Sequence, residues 1–437
     1  MASKQNKNIL KDKVASLYIH IPFCEQRCAY CDFFSTVSQN SDLYVPYVHS
    51  LIEDIAFFKS FYSIATFRTV YIGGGTPSLL PLPLLKKLSI FIRSSQRQEI
   101  EEFTIEANPQ DITHKHLYIW QECGINRLSI GIQSLQDEVL KMEKRRGSRN
   151  ESIVALELVN KEWKGILSLD FIAGLKGQTC KNLLSDLKFA LQFAPHHISL
   201  YELVPHYQDG AFSAEVCEER NEEESKETLW ECGRQLLKNS NYSQYEVSNF
   251  SYNGAFECSH NKAYWKMYDY VGVGAGAVGN VRVADGMSEV REWEAEDMKS
   301  STSAYVSHLK EARRRLKAIR SVGIQNVASY IEKENRKEAY EWEEVQGCDL
   351  LKDAMLMGFR LIEGIDDAEF RNNFATSLFE LIPKTIAKWK SMHLACIEFG
   401  DPSLQENRYV KLTKKGMMLL NTFLCDAFEE LDHRVKK

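Results

Sequence analysis

The chain has 437 residues, 44% of them hydrophobic, which is enough for one large core or two and suggests two or three domains of roughly 150 residues each. Its 54 basic and 60 acidic residues leave a net charge of -6, so no basic excess exists to neutralise phosphates and a general nucleic-acid binder is excluded. The polar opening MASKQNKNILKDK and the lack of any apolar run of about 18 residues predict neither a signal peptide nor a transmembrane segment, and hence a cytoplasmic protein. Eleven cysteines suit reduced thiols better than a disulfide framework, and most, such as Cys123 and Cys425, are expected only to pack.

After a polar tail (residues 1–14), β-rich runs recur at 15–21, 68–72, 102–106, 126–132, 166–172 and 196–202. Between them, 43–58, 84–92 and 182–193 carry apolar residues at helical spacing. Strand, helix, strand at this rhythm predicts an α/β fold with a parallel sheet. The unusual residues all follow strand C-terminal ends: a cysteine loop, then GGGTPS, Glu106, Gln133, Asp170 and Tyr201. Functional groups from many strand ends on one face indicate a barrel rather than a doubly wound sheet. With six units in place of eight, it is an incomplete (β/α)6 barrel, open at one side.

The cysteine loop, IPFCEQRCAYCDFF, spaces Cys24, Cys28 and Cys31 as CX3CX2C and then has Phe33 where a fourth cysteine would fall. Three thiolates leave one iron of a four-iron cube open to a small molecule. A structural zinc site would need a fourth ligand and normally a second pair downstream, and none follows. A Cys28–Cys31 redox pair would leave Cys24 unexplained.

These residues carry a resemblance. YIHIPFCEQRCAYC, YIGGGTPS, IEANP, RLSIGIQSL, DFIAGLKGQT, ISLYEL, YEVSNF, ECSHNKAYW and YVGVGAGAVG occur in the order of the HemN/HemW family of radical S-adenosylmethionine proteins, over about residues 15 to 365. The resemblance implies a TIM-like radical SAM barrel with a [4Fe-4S] cluster on the three cysteines and S-adenosyl-L-methionine on the open iron. It places Gly74, Gly75 and Thr76 beside the methionyl end, and Glu106, Gln133, Arg145 and Asp170 against the amino acid or ribose. Tyr18 and Tyr30 become neighbours of the cofactor. Two positions depart from the pattern, with Lys176 in place of a proline and Gly147 in place of a histidine.

Within the family the expected reading is a heme chaperone, not the oxygen-independent coproporphyrinogen III oxidase. Phe33 replaces the oxidase's further cysteine, and only about fourteen residues precede the first strand. HNKAYW (260–265) matches a motif associated with heme binding, with His260 as the candidate iron ligand. The implied partners are heme, heme-acceptor proteins and a reductant protein for the cluster, with a homodimer left open. Gly274, Gly276 and Gly279 satisfy G-x-G-x-x-G, but a strand-like stretch follows, so a dinucleotide site is rejected. The barrel with its HNxxYW segment is expected over 15–285. A mainly helical C-terminal domain is expected over 286–437, beginning with a charged helical stretch at 287–320, and the runs EERNEEESKE and EARRR are read as solvated helix faces.

Overall fold

The computed structural model describes residues 13–37, 41–203, 225–284, 316–399 and 408–435. Strands β1 (Lys13–Ile21), β2 (Ile64–Gly74), β3 (Glu102–Ala107), β4 (Arg127–Gln133), β5 (Ile166–Ala173) and β6 (His197–Glu202) lie side by side, parallel, in chain order. A doubly wound sheet would reverse its order at a switch point. Here the order never reverses, so each crossover turns the same way and the sheet curls into a partial barrel. All six expected strands are present.

Helices α1 (Tyr44–Phe61), α2 (Leu82–Ser94), α3 (His114–Glu122), α4 (Asp137–Met142), α5 (Arg149–Glu162), α6 (Cys180–Ala190) and α7 (Lys226–Asn239) form the outer layer. Several start where a Ser or Thr side chain accepts an otherwise orphaned backbone N–H: Thr113 before α3, Ser148 before α5, Thr179 before α6 and Ser225 before α7.

The strands alternate with period two. Leu17, Ile19, Val70, Ile72, Phe103, Ile105, Leu128, Ile130, Leu169, Phe171, Ile198 and Leu200 are buried in the core shared with the helices. The intervening side chains are polar and meet one another inside the barrel. Thr69 Oγ1 lies 2.8 Å from Ser16 Oγ, Tyr71 donates to Glu106 at 2.8 Å, Ser129 donates to Asp170 at 2.8 Å, and Ser168 hydrogen bonds with His197 at 2.8 Å.

The sheet continues beyond the barrel to twelve strands. Antiparallel β7 (Tyr242–Gln244) and β8 (Asn249–Tyr252) extend it past β6, while β9 (Tyr270–Val273) pairs in parallel with β1. Antiparallel β10 (Val278–Ala284), β11 (Leu316–Gly323) and β12 (Tyr340–Gln346) complete it. The G-x-G-x-x-G run spans the turn between β9 and β10 and enters β10 at Gly279, strand to strand, as its rejection requires.

Two expectations are corrected here. The boundary after residue 285 falls inside this sheet. Of the helical stretch 287–320, residues up to 315 lie outside the described residues, and Leu316 to Arg320 open β11 instead. Cross-strand pairing overrides their helical composition: Ala318 is buried and Arg320 reaches Glu343 and Asp353. EARRR and the first seven residues of EERNEEESKE also lie outside the described residues.

From Gly347 onward, among the described residues, a helix (Gly347–Gly358), five further helices (Asp367–Phe374, Leu378–Leu381, Pro383–Ser391, Lys414–Met417, Leu420–Val435) and a three-stranded antiparallel sheet share a second core around Met355, Phe359, Trp389, Val410 and Phe423. Cys123 is buried as expected, but Cys425, on the last of these helices, is exposed. Among the described residues no helix is long and apolar enough to cross a membrane.

The edge of the sheet is fastened to α1 by one buried carboxylate. Asp54 accepts from Arg336 Nε at 2.5 Å and Nη2 at 3.1 Å, and from the Tyr330 and Tyr340 hydroxyls. Removing one partner of a buried pair leaves the other charge uncompensated, so Asp54→Ala should cost about 3–5 kcal/mol. The expected result is a lower denaturant midpoint with an unchanged slope, and a loss below about 1 kcal/mol would contradict it.

Candidate functional site

The cysteine loop leaves β1 at the C-terminal rim of the barrel and is tied down on every side. Thr36 N–H donates to Pro22 O at 2.7 Å, and His20 Nε2 hydrogen bonds with Phe34 O at 2.8 Å. Ala29 N–H donates to Glu143 O at 2.8 Å, and Gln26 donates to Lys144 O at 2.9 Å. Arg146 bridges Glu25, at 3.0 Å, and buried Asp111, at 2.8 Å, which also accepts from Ser78.

Under this loop lies a cavity of about 320 Å³ bordered by Cys24, Cys28 and Cys31. Tyr30, Gly74, Gly75, Thr76, Glu106, Gln133, Arg145 and Asp170 border it too. The backbone at Gly75 passes so close to the loop that a Cβ there would lie 2.8 Å from Cys24 Sγ and 2.9 Å from Pro22 O. Only glycine lets the β2 turn and the cysteine meet. Thr76 Oγ1 donates to Cys24 Sγ at 3.4 Å, while Arg145 sits 3.8 Å from Cys28 Sγ and is itself held by Asn108 and by Gly131 O. Burial raises the Cys24 and Cys31 thiols, and Arg145 is the cation poised to favour thiolate at Cys24. Tyr30 packs beside Val139, Ile172 and Leu175, next to Cys28 and Arg145.

The opposite wall is acidic. Glu106 accepts from Tyr71 at 2.8 Å and from Gly74 N–H at 3.2 Å, and burial lifts its carboxyl to about 7. Asp170 is raised as well by burial, with serine hydroxyls opposing the shift. Gln133 sits at φ 65°, a left-handed conformation uncommon outside glycine, at the point where β4 turns to the cavity.

Cysteines on one side and carboxylates on the other suit a cluster whose open iron chelates an amino acid. Among the described residues, no three His, Cys, Asp or Glu side chains converge as a preformed site for a single metal ion.

Two expected residues lie elsewhere. Tyr18 does not border the cavity: its hydroxyl bonds His20 Nδ1 at 2.9 Å and its ring lies beside Tyr71, lower in the barrel. His260, 1% exposed, sits on α8 (Ser259–Trp265) at the barrel's base. Its Nδ1 is 2.8 Å from Thr69 Oγ1 and its Nε2 2.7 Å from the Tyr264 hydroxyl, so both ring nitrogens are hydrogen-bonded. Tyr71, Asn108 and Arg146 escaped the sequence reading. The signal available for Tyr71 was its place two residues before the glycine turn, on the polar face of β2.

The departures at Lys176 and Gly147 also have physical accounts. Lys176 N–H donates to buried Glu143 at 2.7 Å, a bond no proline could make, and Glu143 in turn holds the cysteine loop through Ala29. Gly147 has φ 94°, a backbone conformation that strains any side chain, and a Cβ there would fall 1.6 Å from Gln110 Nε2, so a histidine would have to displace the Gln110 side chain. Lys176→Pro should therefore destabilise the protein by about 1–3 kcal/mol, while Lys176→Ala stays within about 0.5 kcal/mol of wild type. Equal midpoints for the two variants in denaturant titration would refute the role given to this amide.

A Radical SAM superfamily model matches residues 18–190. The heme chaperone HemW of Buchnera aphidicola subsp. Schizaphis graminum is 36% identical over 272 residues, 62% of this chain and 71% of the relative. That of Escherichia coli K12 is 35% identical over 277 residues, again 62% and 71%. Among solved structures, the radical SAM coproporphyrinogen III oxidase HemN from Escherichia coli superposes with a TM-score of 0.71 at 17% identity, covering 95% of this chain and 90% of that one. That likeness establishes the fold, from the partial barrel through the C-terminal unit. The chain belongs to the HemN/HemW family of radical S-adenosylmethionine proteins.

Proposed function

We propose that this protein is a heme chaperone that carries a [4Fe-4S] cluster on Cys24, Cys28 and Cys31, binds S-adenosyl-L-methionine, and delivers heme to acceptor proteins. The observation that carries the reading is the end of the cysteine loop. Phe33 is 65% exposed at the cavity rim, where the oxidase reading calls for another thiol. Tyr201, 43% exposed, adds a second ring to the same rim. Such aromatic faces suit a flat apolar macrocycle better than they suit redox chemistry. The relatives' own description as heme chaperones points the same way.

When bound, a cluster held by three thiolates supplies an electron and one open coordination position. Glu106, Gln133, Arg145 and Asp170 are the chain's groups for orienting the cofactor, with Tyr30 beside the cluster loop. The electron would come from a reductant protein. The reading does not rest on His260, whose ring nitrogens are both hydrogen-bonded.

The test is anaerobic reconstitution, followed by heme titration and a coproporphyrinogen III assay on the same sample. About four irons per chain, heme binding and no turnover are expected, with iron lost in the Cys24/Cys28/Cys31→Ala variant. Clear turnover would favour the oxidase, and a chain holding one zinc in place of iron would overturn both.

A further inference from the structure

The HNKAYW helix fits its surroundings as a plug. Ser259 N–H and His260 N–H donate to the two Glu102 oxygens at 3.0 and 2.9 Å, anchoring α8 to the start of β3. The His260 ring, held at both nitrogens, stacks on Tyr71 with centroids 5.1 Å apart and planes 26° apart. Tyr71 then donates to Glu106 at 2.8 Å. Glu102 and Glu106 are four residues apart on one face of β3, so the plug's anchor and the cavity's carboxylate belong to one strand, about 13 Å apart.

We propose that His260 is a positioning residue for the cofactor cavity: through the Tyr71 ring it fixes the hydroxyl that holds Glu106 in the wall facing the cofactor's amino group. The proposal rests on the S-adenosyl-L-methionine part of the function proposed above. For iron to reach this ring, one of its nitrogens would have to be released, from Thr69 or from Tyr264, inside a buried site. A buttress needs no such opening.

The groups facing Glu106 are Tyr71 and the Gly74 amide of β2, Asp170 of β5, and, further off, Tyr18 of β1, Tyr201 of β6 and Tyr264 of α8. Burial raises the Glu106 carboxyl most, the Tyr71 hydrogen bond opposes it, Asp170 adds to the rise and the Gly74 hydrogen bond lowers it. Binding of an ammonium group is therefore expected to weaken as pH falls through about 7, where Glu106 takes up its proton. Losing the Tyr71 hydroxyl moves that midpoint upward.

The experiment measures S-adenosyl-L-methionine affinity against pH on reconstituted wild type, Tyr71→Phe, His260→Ala and the double variant, with iron content and the heme Soret band recorded for each. Tyr71→Phe should weaken binding roughly tenfold near neutral pH and raise the pH midpoint, with iron retained. His260→Ala should weaken binding similarly in the wild type and much less on the Tyr71→Phe background, since both act through one hydroxyl. Its Soret band should match wild type. Additive losses, an unmoved pH midpoint in Tyr71→Phe, or a Soret band altered by His260→Ala would overturn the proposal. If His260→Ala fails to fold, the pH profile of Tyr71→Phe, which keeps the ring and its stack, decides alone. No binding by wild type at any pH would instead refute the cofactor assignment on which this rests.

Discussion

The structure depends on one constraint: a barrel lumen lined by polar side chains that must satisfy one another. Barrel interiors are ordinarily filled by branched apolar residues. Here each of the six strands turns a polar file inward, Ser16, Tyr18 and His20 on β1, Thr69 and Tyr71 on β2, Glu102, Thr104 and Glu106 on β3, and so on to His197, Ser199 and Tyr201 on β6. A buried polar group without a partner costs free energy, so these files have to interlock, and the hydrogen bonds linking neighbouring strands show that they do. A one-residue slip of any strand would put its polar file into the helix layer and its leucines into the lumen. The register that keeps the core dry therefore also aims Glu106, Gln133 and Asp170 at the cavity.

Much of this was legible in the sequence, for identifiable reasons. Strand ends carry the site, and their motifs are local: the three cysteines fall within eight residues and the glycine turn within three, so spacing alone revealed them. Glu106, Gln133 and Asp170 lie in strands that their own β-rich composition marks. Arg145 emerged only by resemblance, because it lies on the turn after α4 and reaches Cys28 across the rim.

What stayed hidden depends on contacts between distant parts of the chain. Nothing within LKAIR announces that it pairs with β10 and β12, since five residues at the end of a charged stretch read as helix until their partners are known. The surroundings of His260 stayed hidden for the opposite reason. A histidine followed by tyrosine and tryptophan looks like a heme site in isolation, and only its packing against Thr69, Tyr71 and Glu102, far away in sequence, shows it filling the barrel's base. The departures at Lys176 and Gly147 are similar: each looked like a defect in a motif, and each fits one long-range neighbour, Glu143 or Gln110.

The plug is held from outside as well as from within. Beyond His260, the chain leaves α8 through Trp265, Lys266 and Tyr268, and all three meet the C-terminal unit. Arg360 lies 5.3 Å from the Trp265 ring, Lys266 pairs with Glu363 at 3.0 Å, and Tyr268 donates to Glu369 at 2.7 Å. Met267, between them, is buried in the second core. A helix of seven residues has little stability of its own, so its position is set by these two grips. One is the Glu102 carboxylate of the barrel and the other the helix and loop around residues 358–369. The C-terminal unit and the barrel thus hold the plug between them, and its His260 ring stacks on Tyr71, whose hydroxyl donates to Glu106.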